Sequence, residues 1–442
     1  MFCRAVALIC LVFCLNGEGR PAQKSPLPVK NPPVRGPITV MHELPTTGTY
    51  LPTLGSFDET ILNYMETNHI PGASLAIVRN GQLIYTRGYG YADREEKTPA
   101  APTSLFRLAS VSKPITAVAI MTLVQSGKLK LDERVFPLLG FTPFLLPGQH
   151  PDPRLETITV RHLLEHSGGW DRGKSGDIMF KHFQVAQEMG IASPPDHKSL
   201  IRWAMGQPLD FTPGTQYSYS NFGYCVLGRV IEKVSGLSYE KYVQTKVLAP
   251  MGIHAMRIGN GRLSERFPKE VRYYDPENRT ERSVFSAEGD APTPLPYAFA
   301  SPQTMDAHGG WIASAVDMAR FMAKLDVPGD RPLLSSASIA TMFARPQAPL
   351  GLDENGAPSA AYYALGWQVR PVGNEGKANT WHNGGMPGTS TLMVRLTNGL
   401  SWVVLFNSSA EGDIDGLMHQ AAAKVKEWPE QSLFAHYERE DK

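Results

Sequence analysis

Apolar and polar residues alternate with two different periods along the chain. Residues 57–70 (FDETILNYMETNHI) place apolar side chains at helical spacing. The next stretch, ASLAIVRNGQLIYTRGYGYAD, holds two β-rich runs on either side of Asn80-Gly81, a strong hairpin-turn signal. The far end of the chain repeats this arrangement. STLMVRLTNGLSWVVLFN carries Asn398-Gly399 between two predicted strands, and a predicted helix follows from about Asp413 to Trp428. Between the two ends the period is helical, with helices predicted over Ser110–Gln125, Ser199–Met205, Asn221–Val234 and Ala315–Leu325. This order predicts an α+β fold. The hairpins from both chain ends share an antiparallel sheet flanked by helices, and the middle, within about 130–345, forms a mostly helical lobe. Residues 275–305, rich in proline and acidic side chains, read as a long loop that shapes a pocket.

The first 55 residues follow neither period. Ala5–Leu15 is an apolar run behind Arg4, with Gly17 and Gly19 after it, so residues 1–19 are expected to be a secretory signal and the protein to be secreted or periplasmic. The run is short for a membrane span, although an uncleaved anchor is the alternative. Bulky Ile9 and Phe13 precede Cys10 and Cys14, which argues against a lipoprotein cleavage site. Residues 20–55 carry eight prolines and read as a tether. The folded domain is expected over 56–430, with a tail over 431–442.

Composition narrows the partners. Lysine plus arginine (43) balances aspartate plus glutamate (42), with no long run of one sign, so nothing points to nucleic acid or an anionic membrane. A small molecule or short peptide fits better. Of four cysteines only Cys225 lies beyond the apolar leader, among Tyr224, Val226 and Leu227. It reads as core, and an internal disulfide is not expected in the mature chain.

Four stretches carry candidate chemistry. Ser110-Val-Ser-Lys113 opens a helix with Pro114 in its first turn. A serine at a helix N-terminus sits among unpaired N–H groups, and a lysine three residues on projects from the same face. A desolvated lysine gives up its charge and can exchange a proton with the serine. A second S-x-x-K copy, Ser238 to Lys241, reads as an N-cap. Tyr219-Ser-Asn221 precedes an apolar helix, and His382-Asn-Gly384 enters a predicted strand. The fourth stretch, RHLLEHSGGW, contains His162, Glu165 and His166 in the H-x-x-E-H pattern of inverted zinc peptidases. Its predicted helix runs barely two turns from Thr159 to the Ser167-Gly168-Gly169 stop, and Glu188 is the nearest candidate third ligand.

S-x-x-K, Y-x-N and H-x-G in that order resemble the serine β-lactamase and penicillin-binding-protein superfamily. The likeness is to the class C β-lactamase-related hydrolases, with their esterases and D-peptidases, and covers roughly Phe57–Trp428. It implies a β-lactamase/transpeptidase-like fold, no cofactor and no metal. It further implies Ser110 as acylated nucleophile, Lys113 as its proton partner and Tyr219 as general base with a phenol acidified by nearby cations. Asn221 would hold the lysine and the substrate. The N–H groups of Ser110 and Gly385 would form an oxyanion hole, with Gly384 allowing close approach. The resemblance leaves open whether Lys113 or Tyr219 takes the first proton. His382 departs from the lysine usual in β-lactamases, which weakens the expectation of efficient β-lactam hydrolysis. In the same family, HLLEHSGG is a structural stretch. Two other readings stay open: a binder that acylates without turnover, and a zinc peptidase that a chelator inactivates. No G-x-S-x-G motif occurs, so an α/β-hydrolase elbow is not expected.

Overall fold

The computed structural model describes residues 44–326, 332–373 and 376–440, with side chains of 438–440 excepted. The apolar leader, and residues 20–43 of the proline-rich stretch, lie outside the described residues. Residues 44–55 are not a tether. Thr46–Thr47 (β1) pair with the strand that contains Tyr89, and Leu54, in the turn Pro52–Leu54, is fully buried. One apolar anchor and two strand pairings are enough to seat this piece on the domain.

Helix α1 spans Gly55–Thr67. The first hairpin follows as β2 (Gly72–Arg79) and β3 (Gln82–Asp93), turning at Asn80 and Gly81, both at positive φ (50° and 77°) as such a turn requires. The C-terminal part supplies β4 (Tyr362–Tyr363), β5 (Gln368–Val372), β6 (Lys377–Met386), β7 (Thr389–Arg395) and β8 (Leu400–Phe406). They join one antiparallel sheet in the order β1-β3-β2-β8-β7-β6-β5-β4, with the short strand Thr98–Pro99 paired to the end of β3. The two chain ends meet where β2 pairs β8, with Ala76 opposite Val403.

Period two sorts these strands onto two cores. Leu75 and Ile77 of β2, with Trp402 and Val404 of β8, face a layer formed by α1 and α6 (Ile414–Ala423), where Phe57, Ile61 and Met418 are buried. Ala76, Val78, Val403 and Leu405 face the other way. There they meet α2 (Ser112–Gln125), α5 (Ala315–Asp326) and the helical lobe, which includes α3 (Val160–Leu164) and α4 (Asn221–Ser235). α2 is buried from Ser112 through Met121 and forms the central pillar. The lobe residue Cys225 is fully buried, and burial pushes its thiol up to about 12, so it is core.

Three boundaries differ from the sequence pattern. α6 stops at Ala423, and Trp428 instead folds back on Phe57, with ring centroids 6.2 Å apart. The expected tail contains a helix, Phe434–Glu440, held by Leu433 N–H on the Leu83 carbonyl (2.8 Å) and by buried Tyr437. Residues 275–305 hold a short hairpin (Thr280–Arg282 with Pro292–Pro294) and two single-turn helices. Phe299 of this segment packs on Phe180, with centroids 4.6 Å apart.

Candidate active site

Ser110 lies in a tight 3-10 turn, Ala109–Val111, just ahead of α2 rather than inside it. Ala109 is held at φ 47°, a left-handed conformation that costs a non-glycine residue energy and persists only under strong packing. That packing comes from β6. A Cβ on Gly384 would sit 3.1 Å from the Ser110 nitrogen, 2.4 Å from the Leu108 oxygen and 2.3 Å from Thr391 Oγ1. Thr391 Oγ1 in turn donates to the Leu108 carbonyl (2.8 Å), stitching β7 to the same turn. Gly384 is therefore glycine for reasons of space. Gly385, next along β6, is exposed, and no atom lies within 4 Å of where its Cβ would be. Gly384→Ala is expected to lower kcat/KM for an ester at least about 100-fold and to lower stability by about 1–3 kcal/mol, because β6 must back away from Ser110. Gly385→Ala should leave the melting temperature unchanged, and an equal melting loss in both variants would refute the steric account.

Lys113 is fully buried one helical turn from Ser110. Its Nζ lies 2.7 Å from Asn221 Oδ1, 2.9 Å from the His308 carbonyl and 3.1 Å from Ser110 Oγ. Burial drives its amine well below the usual lysine range, against the attraction of Asp177 and with a smaller push from Arg172. The His308 carbonyl belongs to a turn, Asp306–Gly310, that is anchored when buried Asp306 pairs with Arg229 (2.6 Å) and His197 (3.3 Å). Asn221, the first residue of α4, passes the network on, because its Nδ2 donates to Asp177 Oδ2 (2.7 Å).

Tyr219 precedes the Ser220 N-cap of α4, whose Oγ accepts from Gly223 N–H (3.1 Å). Two basic side chains lie over its ring, Lys113 Nζ at 4.7 Å and the Arg172 guanidinium at 4.8 Å from the centroid. The phenol is nevertheless pushed up, not acidified. Loss of water outweighs the hydrogen bond with Ser110 and the charge of Arg172, so the hydroxyl keeps its proton at neutral pH.

His382 is also buried, on the face of β6 that carries Gly384. The Asn383 carbonyl 2.7 Å from Nδ1 can only accept, so Nδ1 carries the hydrogen and Nε2 accepts from the Tyr363 hydroxyl (2.9 Å). Burial and Lys113 bring its pKa down to about 3. It is a neutral structural acceptor and offers no charge to an anion.

The three residues of the H-x-x-E-H stretch diverge. α3 ends at Leu164, so His166 falls outside it, at φ 57°. His162 closes a capping box with Thr159, and Glu165 pairs with Arg161 (3.2 Å). His166 turns under Tyr219, with ring centroids 4.3 Å apart, and its Nδ1 accepts from Ser220 N–H (3.1 Å). Its position matters, but as a support for Tyr219. The second S-x-x-K copy serves the helix start instead, since Ser238 caps the short helix Tyr239–Val243.

Ser110, Lys113, Tyr219, Asn221 and Gly384 thus converge from three separated stretches. Asp177, Arg172, His166, Tyr363 and the His308 carbonyl belong to the same cluster and were not assigned to it by sequence.

A profile of the Beta-lactamase family matches residues 57–426. The chain belongs to the beta-lactamase family. Penicillin-binding protein 4* of Bacillus subtilis (strain 168) is 28% identical over 372 residues, 84% of this chain and 74% of that protein. Protein flp of Staphylococcus aureus (strain COL) is 33% identical over 195 residues, 44% of this chain and 36% of that protein. Among solved structures, the octameric penicillin-binding protein homologue from Pyrococcus abyssi aligns with a TM-score of 0.64 at 26% identity, covering 87% of this chain and 80% of the other. EstCE1, a hydrolase with promiscuous acyltransferase activity, aligns with a TM-score of 0.62 at 23% identity, covering 85% and 99%, and shares the fold. Membership of this family makes the chain a serine hydrolase. Among the described residues no helix is long and apolar enough to cross a membrane.

Proposed function

We propose that this member of the beta-lactamase family is an exported enzyme that hydrolyses an ester, or the amide of a short D-amino-acid peptide, through an acyl-enzyme on Ser110. The observation that carries the reading is the environment of Lys113 Nζ. A neutral amine has two hydrogens and one lone pair. Asn221 Oδ1 and the His308 carbonyl accept the two hydrogens, which leaves the lone pair facing Ser110 Oγ at 3.1 Å. Lys113 is then the first base. Ser110 Oγ attacks the carbonyl as its proton moves to Nζ, and the N–H groups of Ser110 and Gly385 receive the oxyanion. Tyr219, protonated at rest, gives its proton to the leaving oxygen or nitrogen and is recharged from Lys113. Water then attacks the acyl ester by the reverse route, releasing the acid and restoring Ser110.

A β-lactam is a poorer substrate in this reading, because the residue in the lysine position, His382, is neutral and enclosed. The test is to mix the protein with a short-chain p-nitrophenyl ester and, separately, with a penicillin, recording intact mass and product release. A transient acyl mass on the Ser110 peptide with steady release is expected, faster for the ester. A stable adduct without release would make the protein a binder, and no adduct at all would refute the acyl-enzyme.

A further inference from the structure

We infer that Arg172 is the receptor for a carboxylate on the leaving half of the substrate. The inference rests on the proposed roles of Ser110 as nucleophile and Tyr219 as proton donor to the leaving group. Whatever leaves must lie against Tyr219, so charged groups beside that ring meet the leaving half. Two basic side chains are there. Lys113 is fully enclosed and committed to Ser110, Asn221 and His308. Arg172 is half-buried, stacks on the Tyr219 ring at 4.8 Å, and makes no hydrogen bond or ion pair among the described residues. It feels the charge of Asp177, but that carboxylate is occupied by Asn221 Nδ2 (2.7 Å) and Met179 N–H (3.1 Å).

The backbone holds Arg172 in place. Trp170 is buried between Phe222 and Phe136, with ring centroids at 4.8 and 6.4 Å. Asp171 N–H donates to Asp210 Oδ2 (2.8 Å), and Gly173 N–H donates back to Asp171 Oδ1 (2.9 Å). The neighbouring cation Lys174 is directed to Asp210 instead (3.9 Å). A stacked guanidinium still presents N–H pairs at its edge, in the geometry that receives a carboxylate with two hydrogen bonds. His382 cannot supply that charge. The charge available to an anion in the leaving half therefore lies on the 171–177 loop and not on β6. The favoured class is an acyl ester of a 2-hydroxy acid, or a peptide ending in a free carboxylate one residue beyond the scissile bond.

The test uses N-phenylacetylglycyl-D-lactate and the matching lactamide, which differ only in the leaving-half charge. Each is measured directly and as a competitor of p-nitrophenyl acetate, so that a slow substrate still reports its affinity. The wild type is expected to favour the lactate by about 10- to 100-fold in kcat/KM, mainly through KM, as for a charge-assisted bidentate contact. Arg172→Ala should bring that ratio close to one, and Arg172→Lys should restore part of it. A wild-type ratio at or below one, an unchanged ratio in Arg172→Ala, or equal losses on both substrates would overturn the assignment. Failure of the underlying reading looks different: Ser110→Ala would then still turn over both compounds.

Discussion

Ser110→Ala is expected to lower hydrolysis of p-nitrophenyl acetate by at least about 10⁴-fold and to leave the melting temperature within about 1 °C. The two halves of this expectation have separate causes. Catalysis falls because the variant has no atom to hold the acyl group, and removal of one member of a cooperating set costs nearly as much as removal of all. Stability stays because Ser110 is only half-buried and the turn around it is set by other contacts. Those are Gly384 against the backbone, Thr391 on the Leu108 carbonyl, and the left-handed Ala109. The measurement is initial rate and thermal melting of both proteins, each repeated with a chelator. Activity that persists in Ser110→Ala and disappears with the chelator would sink the serine mechanism. It would return attention to His162, Glu165 and His166 despite their divergent contacts.

The parts of this site that are legible in the sequence are those fixed by local spacing. Ser110 and Lys113 are one helical turn apart, and Tyr219 and Asn221 straddle a serine N-cap, so each pair is a short-range statement about a helix start. The same holds for the fold. Asn80-Gly81 and Asn398-Gly399 mark hairpins because those turns demand special backbone angles. That the two turns touch, with Asn80 N–H on the Gly399 carbonyl (2.8 Å), follows only from the β2–β8 pairing. Long-range contributions leave no such mark. His308 acts through its carbonyl, which any residue possesses. Asp177 and Arg172 sit in a loop without periodicity. The Tyr219 phenol shifts opposite to the resemblance-based expectation, because charge proximity is inferable from motifs whereas enclosure is a property of the packed whole. His166 has the inverse history: its motif pointed to a metal, while the early end of α3 turns its ring under Tyr219.

Lys113→Met should remove at least about 10³-fold of ester turnover, and Lys113→Arg should not restore it, since a guanidinium stays charged and has no lone pair to offer. A second consequence concerns folding. In the unfolded chain a lysine amine titrates near its ordinary value of about 10.4. In the fold, burial holds Lys113 well below that range. Between those two values the unfolded state binds a proton that the native state does not, so stability rises with pH by about 1.4 kcal/mol per unit. The contribution is unfavourable at neutral pH and fades as pH climbs toward the unfolded value. Lys113→Met lacks this term, and the other titrating groups cancel in the comparison. The difference in unfolding free energy should therefore move in favour of the wild type as pH rises from 7.5 to 9.0, with a slope of up to about 1.4 kcal/mol per unit. Urea unfolding of both proteins at the two pH values reads it directly. A flat difference would mean that the amine is charged in the native protein at pH 7.5. The lone pair would then be unavailable to Ser110, and the first proton would have to go to Tyr219, whose own raised pKa makes it the harder base to generate. Two acceptors fixed on one amine thus tie the direction of the first proton transfer to a pH slope measurable without any substrate.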